Sequence, residues 1–436
     1  MKAGIKLIPL LLVALLLSGC MLTVEQMYCL PKRSETYKDL QTAIDGAMNG
    51  LDYCAPLTGE NQQTVQLADL DGDGRNEYLL FAKSTQQDKP LRILVFQKVD
   101  EKFVNTHIVE CNGYAFDQVE YVDMNGDGGL EILVGRQLSD QLIRSVSVYT
   151  FSNNELAQLI TVNYSKFLTA DLNTDGLSEM FVLRPGQTDT DNGVAELYKM
   201  DGGSIERYNE VTMSQPVDKL KRILVGKIDG QIPAVYTASA VGESALITDV
   251  YLLKDDLLVN IGLSDDSDTS VQTLRNFYIY ADDIDGDSVV ELPRLITMAE
   301  TVGTNNNQLI CWYAMTADGG EIVKMYTYHN FVGGWYMQLG NQWAERVKVA
   351  ASGNECAFSV WNQEGTKCEK IFTVYALSGQ KREIQAEEDG YVELYRTDTV
   401  VYVARLEPCA GEYDLDARII KNNFRLIQQD WKTGET

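Results

Sequence analysis

The chain has 436 residues, of which 45% are hydrophobic, and it carries a formal net charge of −26 at pH 7. This length exceeds the usual size of one compact domain, and the apolar fraction is enough to bury a sizeable core. The acidic balance argues against nucleic acid as a partner, since phosphates demand a basic surface, and it is compatible with cation binding and with ordinary solubility.

The first 20 residues predict a targeting segment. Two lysines, Lys2 and Lys6, precede an apolar run from Leu7 to Leu17. The run ends in Leu17-Ser18-Gly19-Cys20, which resembles a bacterial lipobox, and this resemblance implies that Cys20 is lipidated after cleavage before it. Two or more acyl chains would anchor the protein stably, on the extracytoplasmic side of the cell membrane. A retained transmembrane anchor is the alternative, but the run is shorter than the roughly 18–20 residues that span a bilayer.

Residues 21–59 are predicted to form a tether followed by a helix. Ser34 is a suitable N-cap, and the helix is expected to run to about Leu51. Its apolar residues recur every three or four positions and so form one stripe, which comprises Tyr37, Leu40, Ile44, Met48 and Leu51. We expect this stripe to dock on the protein's own core, with a partner-binding helix as the alternative.

An acidic turn follows this helix. In Asp69–Glu77, carboxylates stand at positions 1, 3, 5 and 9, and Gly74 stands at position 6. Carboxylates so spaced can converge on one hard cation, the position 7 carbonyl adds an oxygen, and glycine permits the chain reversal. The turn recurs from Asp123, from Asp171 and from Asp283. These four turns are named loops 1, 2, 3 and 5.

The candidate Ca²⁺ ligands occupy the same five positions in each loop. They are Asp69, Asp71, Asp73, Arg75 and Glu77 in loop 1, Asp123, Asn125, Asp127, Gly129 and Glu131 in loop 2, Asp171, Asn173, Asp175, Leu177 and Glu179 in loop 3, and Asp283, Asp285, Asp287, Val289 and Glu291 in loop 5. Asparagine at position 3 of loops 2 and 3 keeps the oxygen and drops one charge. Ser288 stands where glycine is wanted in loop 5. Loop 1 is therefore expected to be the strongest site and loop 5 the weakest.

A further unit, which begins at Lys227 and is named loop 4, departs from this pattern. Its positions 1 and 5 have lost their acids and the turn is shortened, so we predict that it binds no metal. We add the hypothesis that the Lys227 ammonium replaces the cation by pairing with Asp229.

The loops do not match an EF-hand, which needs a bidentate acid at position 12. That position holds Leu80, Val134, Val182 and Arg294. The pattern of oxygen residues at positions 1, 3, 5 and 9 with flanking strands instead resembles the FG-GAP/VCBS repeat family, which includes integrin α-chain propellers. The resemblance covers about residues 60–330. It implies a calcium-loop β-propeller that acts in adhesion, ligand binding or scaffolding, with an envelope protein or a glycan as its ligand.

The loop starts recur every 48–56 residues. Each loop is followed by an apolar strand and an outer hairpin whose polar turn falls at 99–102, 153–155, 201–203, 254–256 or 318–320. A unit of about 50 residues with four strands is one propeller blade. Residues 60–330 are therefore predicted to be mainly β, with five visible blades.

After residue 330 the acidic loops stop while the strand patterns continue, and Leu415–Trp431 is predicted to be a helix. We expect residues 331–436 to form a separate α+β domain. The alternative is two degenerate blades that close a seven-bladed ring.

Seven cysteines follow Cys20, so at least one does not pair within the chain. Cys29 with Cys54 and Cys356 with Cys368 are two plausible disulfides, which the sequence alone does not establish.

No catalytic constellation is evident, since the chain has two histidines and lacks the nucleophile-elbow, zinc-protease and phosphate-loop motifs. The sequence predicts a lipid-anchored extracytoplasmic Ca²⁺-binding β-propeller protein. The alternative is a carbohydrate-active or other envelope enzyme, whose C-terminal domain offers acids such as Glu345, Glu364 and Glu369. A purely structural envelope component, with no soluble ligand, is a third interpretation.

Overall fold

The computed structural model describes residues 35–84, 88–139, 143–152, 155–188, 191–264, 266–296, 301–302, 307–341, 346–362 and 364–427. These residues form six β-sheets and three α-helices, so the protein is mainly β. Their helices lack the length and apolar character that crossing a membrane requires.

The strands are numbered in chain order. The first sheet contains Leu51–Tyr53 (β1), Val65–Ala68 (β2), Glu77–Ser84 (β3), Leu91–Val99 (β4) and Lys102–Cys111 (β5). The second contains Ala115–Val122 (β6), Glu131–Gln137 (β7), Arg144–Ser152 (β8) and Glu155–Tyr164 (β9). The third contains Lys166–Ala170 (β10), Glu179–Arg184 (β11), Val194–Asp201 (β12) and Ser204–Thr212 (β13). The fourth contains Leu220–Lys227 (β14), Pro233–Val241 (β15), Ala245–Lys254 (β16) and Leu257–Asn260 (β17).

Two larger sheets follow. The fifth has the order β18-β20-β21-β22-β28, from Leu292–Ile296 (β18), Asn307–Met315 (β20), Glu321–Asn330 (β21), Trp335–Leu339 (β22) and Phe424–Leu426 (β28). The sixth has the order β19-β23-β24-β25-β27-β26, from Thr301–Val302 (β19), Val347–Ser352 (β23), Glu355–Trp361 (β24), Cys368–Ser378 (β25), Tyr391–Arg396 (β26) and Val400–Leu406 (β27). The helices are Glu35–Ala47 (α1), Arg382–Ala386 (α2) and Ala417–Asn423 (α3).

Two-residue turns close the outer hairpins of the first, third and fourth sheets. Both central residues have positive φ, namely Asp100 (47°) and Glu101 (66°), Gly202 (55°) and Gly203 (87°), and Asp255 (51°) and Asp256 (59°). Positive φ at both positions is the type I′ geometry, whose twist matches that of the paired strands. These three turns fall at the predicted hairpin positions.

Apolar side chains join each sheet to the next. Phe81 of the first sheet shares a buried cluster with Val134 of the second. Further clusters join the second sheet to the third, the third to the fourth, the fourth to the fifth and the fifth to the sixth. Because successive residues of a strand face opposite sides, an inner sheet can present one apolar face to each neighbour. The six sheets therefore pack in chain order, as a row.

Helices cover the outer faces of the two end sheets. Leu40 and Ile44 of α1 pack against Leu80 of the first sheet. Ala386, the last residue of α2, packs against Val401 of the sixth sheet. Among the described residues no apolar cluster joins the sixth sheet to the first. A helix thus packs on each end sheet, α1 through several apolar residues and α2 through Ala386.

The helix α1 is shorter than expected. It ends at Ala47, and Leu51 begins β1 instead. Leu40 and Ile44 are buried on the first sheet, with Met48 and Leu51 partly buried beside them, so this part of the stripe docks on the protein's own core. Residues 1–34, with Ser34, Cys20 and Cys29, lie outside the described residues, as does the side chain of Tyr37.

Beyond residue 330 the chain continues the row. The strand β22 pairs with β21, and in this pairing Trp335 lies opposite Asn330 and Leu339 lies opposite Tyr326. The expected boundary between residues 330 and 331 therefore falls within the fifth sheet. A sixth sheet follows. The described residues thus contain one sheet more than the five repeats visible in the sequence and one fewer than the seven-bladed alternative.

The predicted helix Leu415–Trp431 is wrong in its extent. The helix α3 spans only Ala417–Asn423, and β28 follows it directly and pairs with β22. Within β28, Phe424 is buried and its ring stacks on that of Trp335 with the centroids 5.4 Å apart. Packing on the fifth sheet therefore overrides the local helical pattern.

The proposed Cys356–Cys368 disulfide is also wrong. Cys356 pairs with Val374 and Cys368 with Trp361 across the β24–β25 hairpin. This register separates the two cysteines by about 20 Å along β25, at roughly 3.3 Å per residue. Cys356 Sγ instead donates to Tyr328 Oη at 3.3 Å, and burial raises the pKa of this thiol to about 12.

Candidate metal centres

Each acidic loop leads directly into a strand. Loop 1 lies between β2 and β3, loop 2 between β6 and β7, and loop 3 between β10 and β11. Loop 5 precedes β18, where an isolated bridge between Asp282 and Glu291 stands in place of the first strand. Backbone pairing therefore fixes both ends of each loop.

The glutamate at position 9 closes loops 1, 2, 3 and 5. Its Oε2 accepts the backbone N–H of position 2, which belongs to Leu70 (2.8 Å), Met124 (2.8 Å), Leu172 (2.8 Å) and Ile284 (3.1 Å). This bond occupies only one of the two carboxylate oxygens. The other oxygen is left for a second partner.

The aspartates at positions 1 and 5 hold the turn itself. Oδ2 of position 1 accepts the N–H of position 6, which belongs to Gly74 (2.9 Å), Gly128 (3.2 Å), Gly176 (3.0 Å) and Ser288 (2.8 Å). Oδ1 of position 5 accepts the N–H of position 7, which belongs to Arg75 (2.8 Å), Gly129 (2.9 Å), Leu177 (2.8 Å) and Val289 (2.8 Å). The four loops thus share one backbone geometry.

Position 6 has a positive φ throughout, as the sequence predicted. Its value is 82° at Gly74, 87° at Gly128, 89° at Gly176 and 71° at Ser288. Glycine adopts this conformation freely, whereas a serine is strained there by about 1–3 kcal/mol. Loop 5 therefore keeps the geometry at an energetic cost.

Carboxylate oxygens converge in loops 1 and 5. One oxygen from each member lies within 4.8 Å of the others in two clusters, Asp69 with Asp71 and Glu77, and Asp283 with Asp285 and Glu291. Asp69 Oδ1 and Glu291 Oε1 are buried and accept no hydrogen bond from any described residue. A buried carboxylate oxygen without a donor is unfavourable. Both clusters could therefore hold a metal ion.

Burial disfavours the charged form of the position 9 glutamates. It is the main cause that raises the pKa of Glu77, Glu131 and Glu179 above the usual range. The pKa of Glu291 rises to about 8, first through burial and then through the charges of Asp285 and the other loop acids. A cation beside these carboxylates would favour their charged forms.

Loops 2 and 3 differ because asparagine occupies position 3. Asn125 Nδ2 donates to Glu131 Oε1 (2.8 Å) and to Asp127 Oδ2 (3.1 Å). In loop 3, Asn173 Nδ2 donates to Asp175 Oδ2 at 2.7 Å. The amide nitrogen thus lies among the carboxylates, and the amide would have to rotate to offer its oxygen to a metal. Loops 2 and 3 consequently fit a cation less well than loops 1 and 5.

The order of metal affinity, with loop 5 as the weakest site, stays a prediction. The strain at Ser288 is present, but loop 5 retains a convergent acidic cluster with an oxygen that lacks a donor. Loop 3 retains a comparable oxygen at Asp171 Oδ1. The loops therefore differ at two positions, in the charge at position 3 and in the residue at position 6.

In loop 4 the hypothesis of a Lys227–Asp229 pair is wrong. Lys227 Nζ donates to Gln231 Oε1 at 2.9 Å. Asp229 Oδ1 instead lies 3.3 Å from Nζ of Lys324, a residue of β21. The same ammonium lies 3.6 Å from Asp287 Oδ2 in loop 5. A lysine of the next sheet therefore supplies the positive charge beside loop 4, and no local sequence pattern pointed to it.

Backbone hydrogen bonds connect successive loops. The backbone N–H at position 8 of one loop donates to the carbonyl at position 1 of the loop before it. The three bonds run from Leu130 N to Asp69 O (3.0 Å), from Ser178 N to Asp123 O (3.2 Å) and from Val290 N to Lys227 O (2.9 Å). These bonds join loop 1 to loop 2, loop 2 to loop 3 and loop 4 to loop 5, whereas no such bond joins loop 3 to loop 4 among the described residues.

The contact between loops 1 and 2 depends on Gly129. A Cβ atom there would lie 2.6 Å from the carbonyl oxygen of Leu70. We expect Gly129→Ala to destabilise the protein by about 1–3 kcal/mol, the usual cost of overpacking. Gly411→Ala is the matched control, because a Cβ atom there meets nothing within 4 Å. Urea unfolding of both variants checks this prediction. Equal unfolding midpoints for Gly129→Ala and Gly411→Ala would contradict it.

The acids named for an enzyme lie on a different part of the chain. Glu369, at the start of β25, accepts hydrogen bonds from Lys367 and Tyr413, and Glu364 is exposed. Glu345 lies outside the described residues. His329 is buried with its ring stacked on Tyr336, 5.1 Å between centroids.

Comparisons with known proteins leave the family open. No protein-family model matches the chain, and no curated protein matches it. Solved structures that resemble it include the rhamnogalacturonan lyase PL11 of Bacillus licheniformis, with 13% identity, a TM-score of 0.29 and coverage of 73% of this chain and 72% of that chain. The β-propeller domain of the trilobed protease from Pyrococcus furiosus has 11% identity, a TM-score of 0.27 and coverage of 72% and 89%. The neighbours thus include a β-propeller domain and other sheet-rich folds.

Proposed function

We propose that this protein is a lipid-anchored extracytoplasmic scaffold of the FG-GAP/VCBS type, whose β-propeller-like row of sheets is stabilised by Ca²⁺. It would bind an envelope protein or a glycan, or serve in adhesion. The observation that carries the proposal is the common geometry of the four acidic loops, with buried carboxylate oxygens that lack a donor at Asp69 and Glu291. Three antiparallel sheets of four strands, within a series of six sheets packed in chain order, support the propeller-like organisation.

Calcium is the metal that suits these donors. The candidate ligands are carboxylate, amide and backbone carbonyl oxygens, without histidine or cysteine. Hard oxygen donors in a flexible loop suit Ca²⁺, which accepts six to eight of them. Asp69, Asp71 and Glu77 would hold the ion in loop 1, with Asp283, Asp285 and Glu291 in loop 5. The ion would neutralise the clustered acids and fix the turn between strands.

The anchor is tested separately from the metal. We expect the full chain, expressed in a bacterial host, to incorporate a palmitate analogue and to remain with the membrane fraction. Cys20→Ala should abolish both the labelling and the membrane association. Labelling that persists in this variant would contradict the assignment of Cys20 as the lipidated residue.

Lys324 is expected to compete with the cation of loop 5. Its ammonium lies 3.6 Å from Asp287, a candidate ligand. A charge pair 4 Å apart near a protein surface is worth about 1–4 kcal/mol, so Lys324→Met should tighten Ca²⁺ binding severalfold. Lys221→Met, at an exposed position, changes the net charge equally and should not alter it. Calorimetric titration with Ca²⁺ measures both variants, and equal affinities would refute the competition.

A further inference from the structure

A cleft between the segment 272–277 and the fifth sheet contains two arginines. It has a volume of about 240 Å³, and its lining includes Gln272, Arg275, Asn276, Arg294 and Tyr313. This volume is below the roughly 300–1,000 Å³ of clefts that take drug-sized ligands, so only a small molecule or one sugar residue fits. Two cationic side chains around one small cleft contrast with the acidic balance of the whole chain.

Arg275 is buried, and no carboxylate of the described residues forms an ion pair with it. Its side chain donates to Ile279 O (2.7 Å), to Thr248 Oγ1 (3.0 Å) and to Thr273 O (3.1 Å), while Nη2 has no hydrogen-bond partner among the described residues. The residue is 5% exposed. A guanidinium that is buried among neutral acceptors lacks the counter-charge that usually compensates its desolvation.

Arg294 stands at the rim of the same cleft. Its guanidinium carbon lies 4.4 Å from the ring centroid of Tyr313, and it forms an ion pair with Glu321. The side chain of Arg294 remains 45% exposed. An exposed ion pair of this kind is weak, so an incoming anion can replace Glu321 at little cost.

We propose that this cleft is a binding site for a small oxyanion, a carboxylate or a sulfate-like group, which Arg294 contacts directly and whose charge compensates the buried guanidinium of Arg275. The planar guanidinium fork matches the geometry of both kinds of group through paired N–H···O bonds. The anion supplies the missing counter-charge of Arg275. Glu321 acts as a competitor, which occupies Arg294 while the site is empty. The site is independent of the metal loops, since it shares none of their candidate ligands.

The test is a calorimetric titration of the chain from residue 21, which contains every described residue, at fixed ionic strength and fixed calcium concentration. The probes are D-glucuronate and sodium sulfate, with D-glucose as the uncharged match for glucuronate. We expect binding of at least one oxyanion and none of glucose. Arg294→Gln should weaken that binding about tenfold, which corresponds to about 1.4 kcal/mol. Glu321→Gln should strengthen it severalfold, because it frees Arg294.

The outcomes separate the sources of the oxyanion. Binding of glucuronate alone identifies a carboxylate on a sugar, and binding of sulfate alone identifies a tetrahedral group. Arg275→Gln should abolish binding. If that variant fails to fold, the oxyanion affinities of Arg294→Gln and Glu321→Gln test the proposal without it. Absence of binding for both oxyanions, or dissociation constants that neither rim variant changes, would overturn the proposal.

Discussion

The double variant Asp69→Ala, Glu291→Ala is expected to lose most of the calcium-dependent stability that the wild-type protein shows. These two residues carry the buried oxygens that lack a donor in loops 1 and 5. At a Ca²⁺ concentration of about 100 Kd, each independent site stabilises the fold by about 2.7 kcal/mol, so the two sites together contribute about 5 kcal/mol. Thermal unfolding in chelator and across a calcium titration measures this loss. Each single variant is expected to lose the stabilisation of one site, about 2.7 kcal/mol.

The control is Glu155→Ala, which removes one acid from an exposed position outside the loops and should keep the full calcium response. Extracellular calcium modules bind with a Kd of roughly 0.1–1 mM, so the titration should extend through the millimolar range. A wild-type protein that unfolds at the same temperature in chelator and in calcium would refute the metal sites. The loops would then be solvated turns, and only the fold would remain as support for the family resemblance.

Replacement of Trp335 by alanine is expected to cost about 3–5 kcal/mol, the usual loss for a buried tryptophan. Trp335 is 2% exposed at the junction of the fifth and sixth sheets. Its ring lies 5.4 Å from that of Phe424 and 5.9 Å from that of Tyr328, measured between centroids. The variant thus leaves a cavity where the C-terminal strand β28 packs on the fifth sheet.

Urea unfolding measures this loss, with Val332→Ala as the control. Val332 lies on the neighbouring turn and is 73% exposed, so its truncation should change the stability by less than about 0.5 kcal/mol. A double-mutant cycle of Trp335→Ala with Phe424→Ala should show coupling, because the two rings are in contact. Additive losses would mean that β28 does not depend on Trp335.

The features that the sequence predicted correctly are local. Nine consecutive residues suffice to specify an acidic loop, because its closing bonds join positions 1 to 6, 5 to 7 and 9 to 2 within the same segment. The type I′ turns, such as that at Asp255, are encoded in the same way. Alternating apolar residues between loops and turns then indicated the strands of five sheets.

The features that the sequence did not reveal connect distant segments. The pairing of β28 with β22 joins residues that are far apart in the chain, and a short apolar segment such as Phe424–Leu426 suits a helix as well as a strand. Lys324 and Arg275 act through partners on other elements, so neither belongs to a motif. The orientation of the Asn125 amide likewise depends on packing in the folded loop.

The helices that pack on the two end sheets bear on how such a protein can change in evolution. A closed ring must divide a full turn evenly, so gaining or losing one unit alters the angle between all the others. A row with a covered face at each end has no such constraint, as in solenoid repeats with capping elements. Duplication or deletion of one inner sheet would change the interfaces at that point and leave those farther along the row unchanged. Relatives of this protein are therefore expected to differ in sheet number while they keep both end helices.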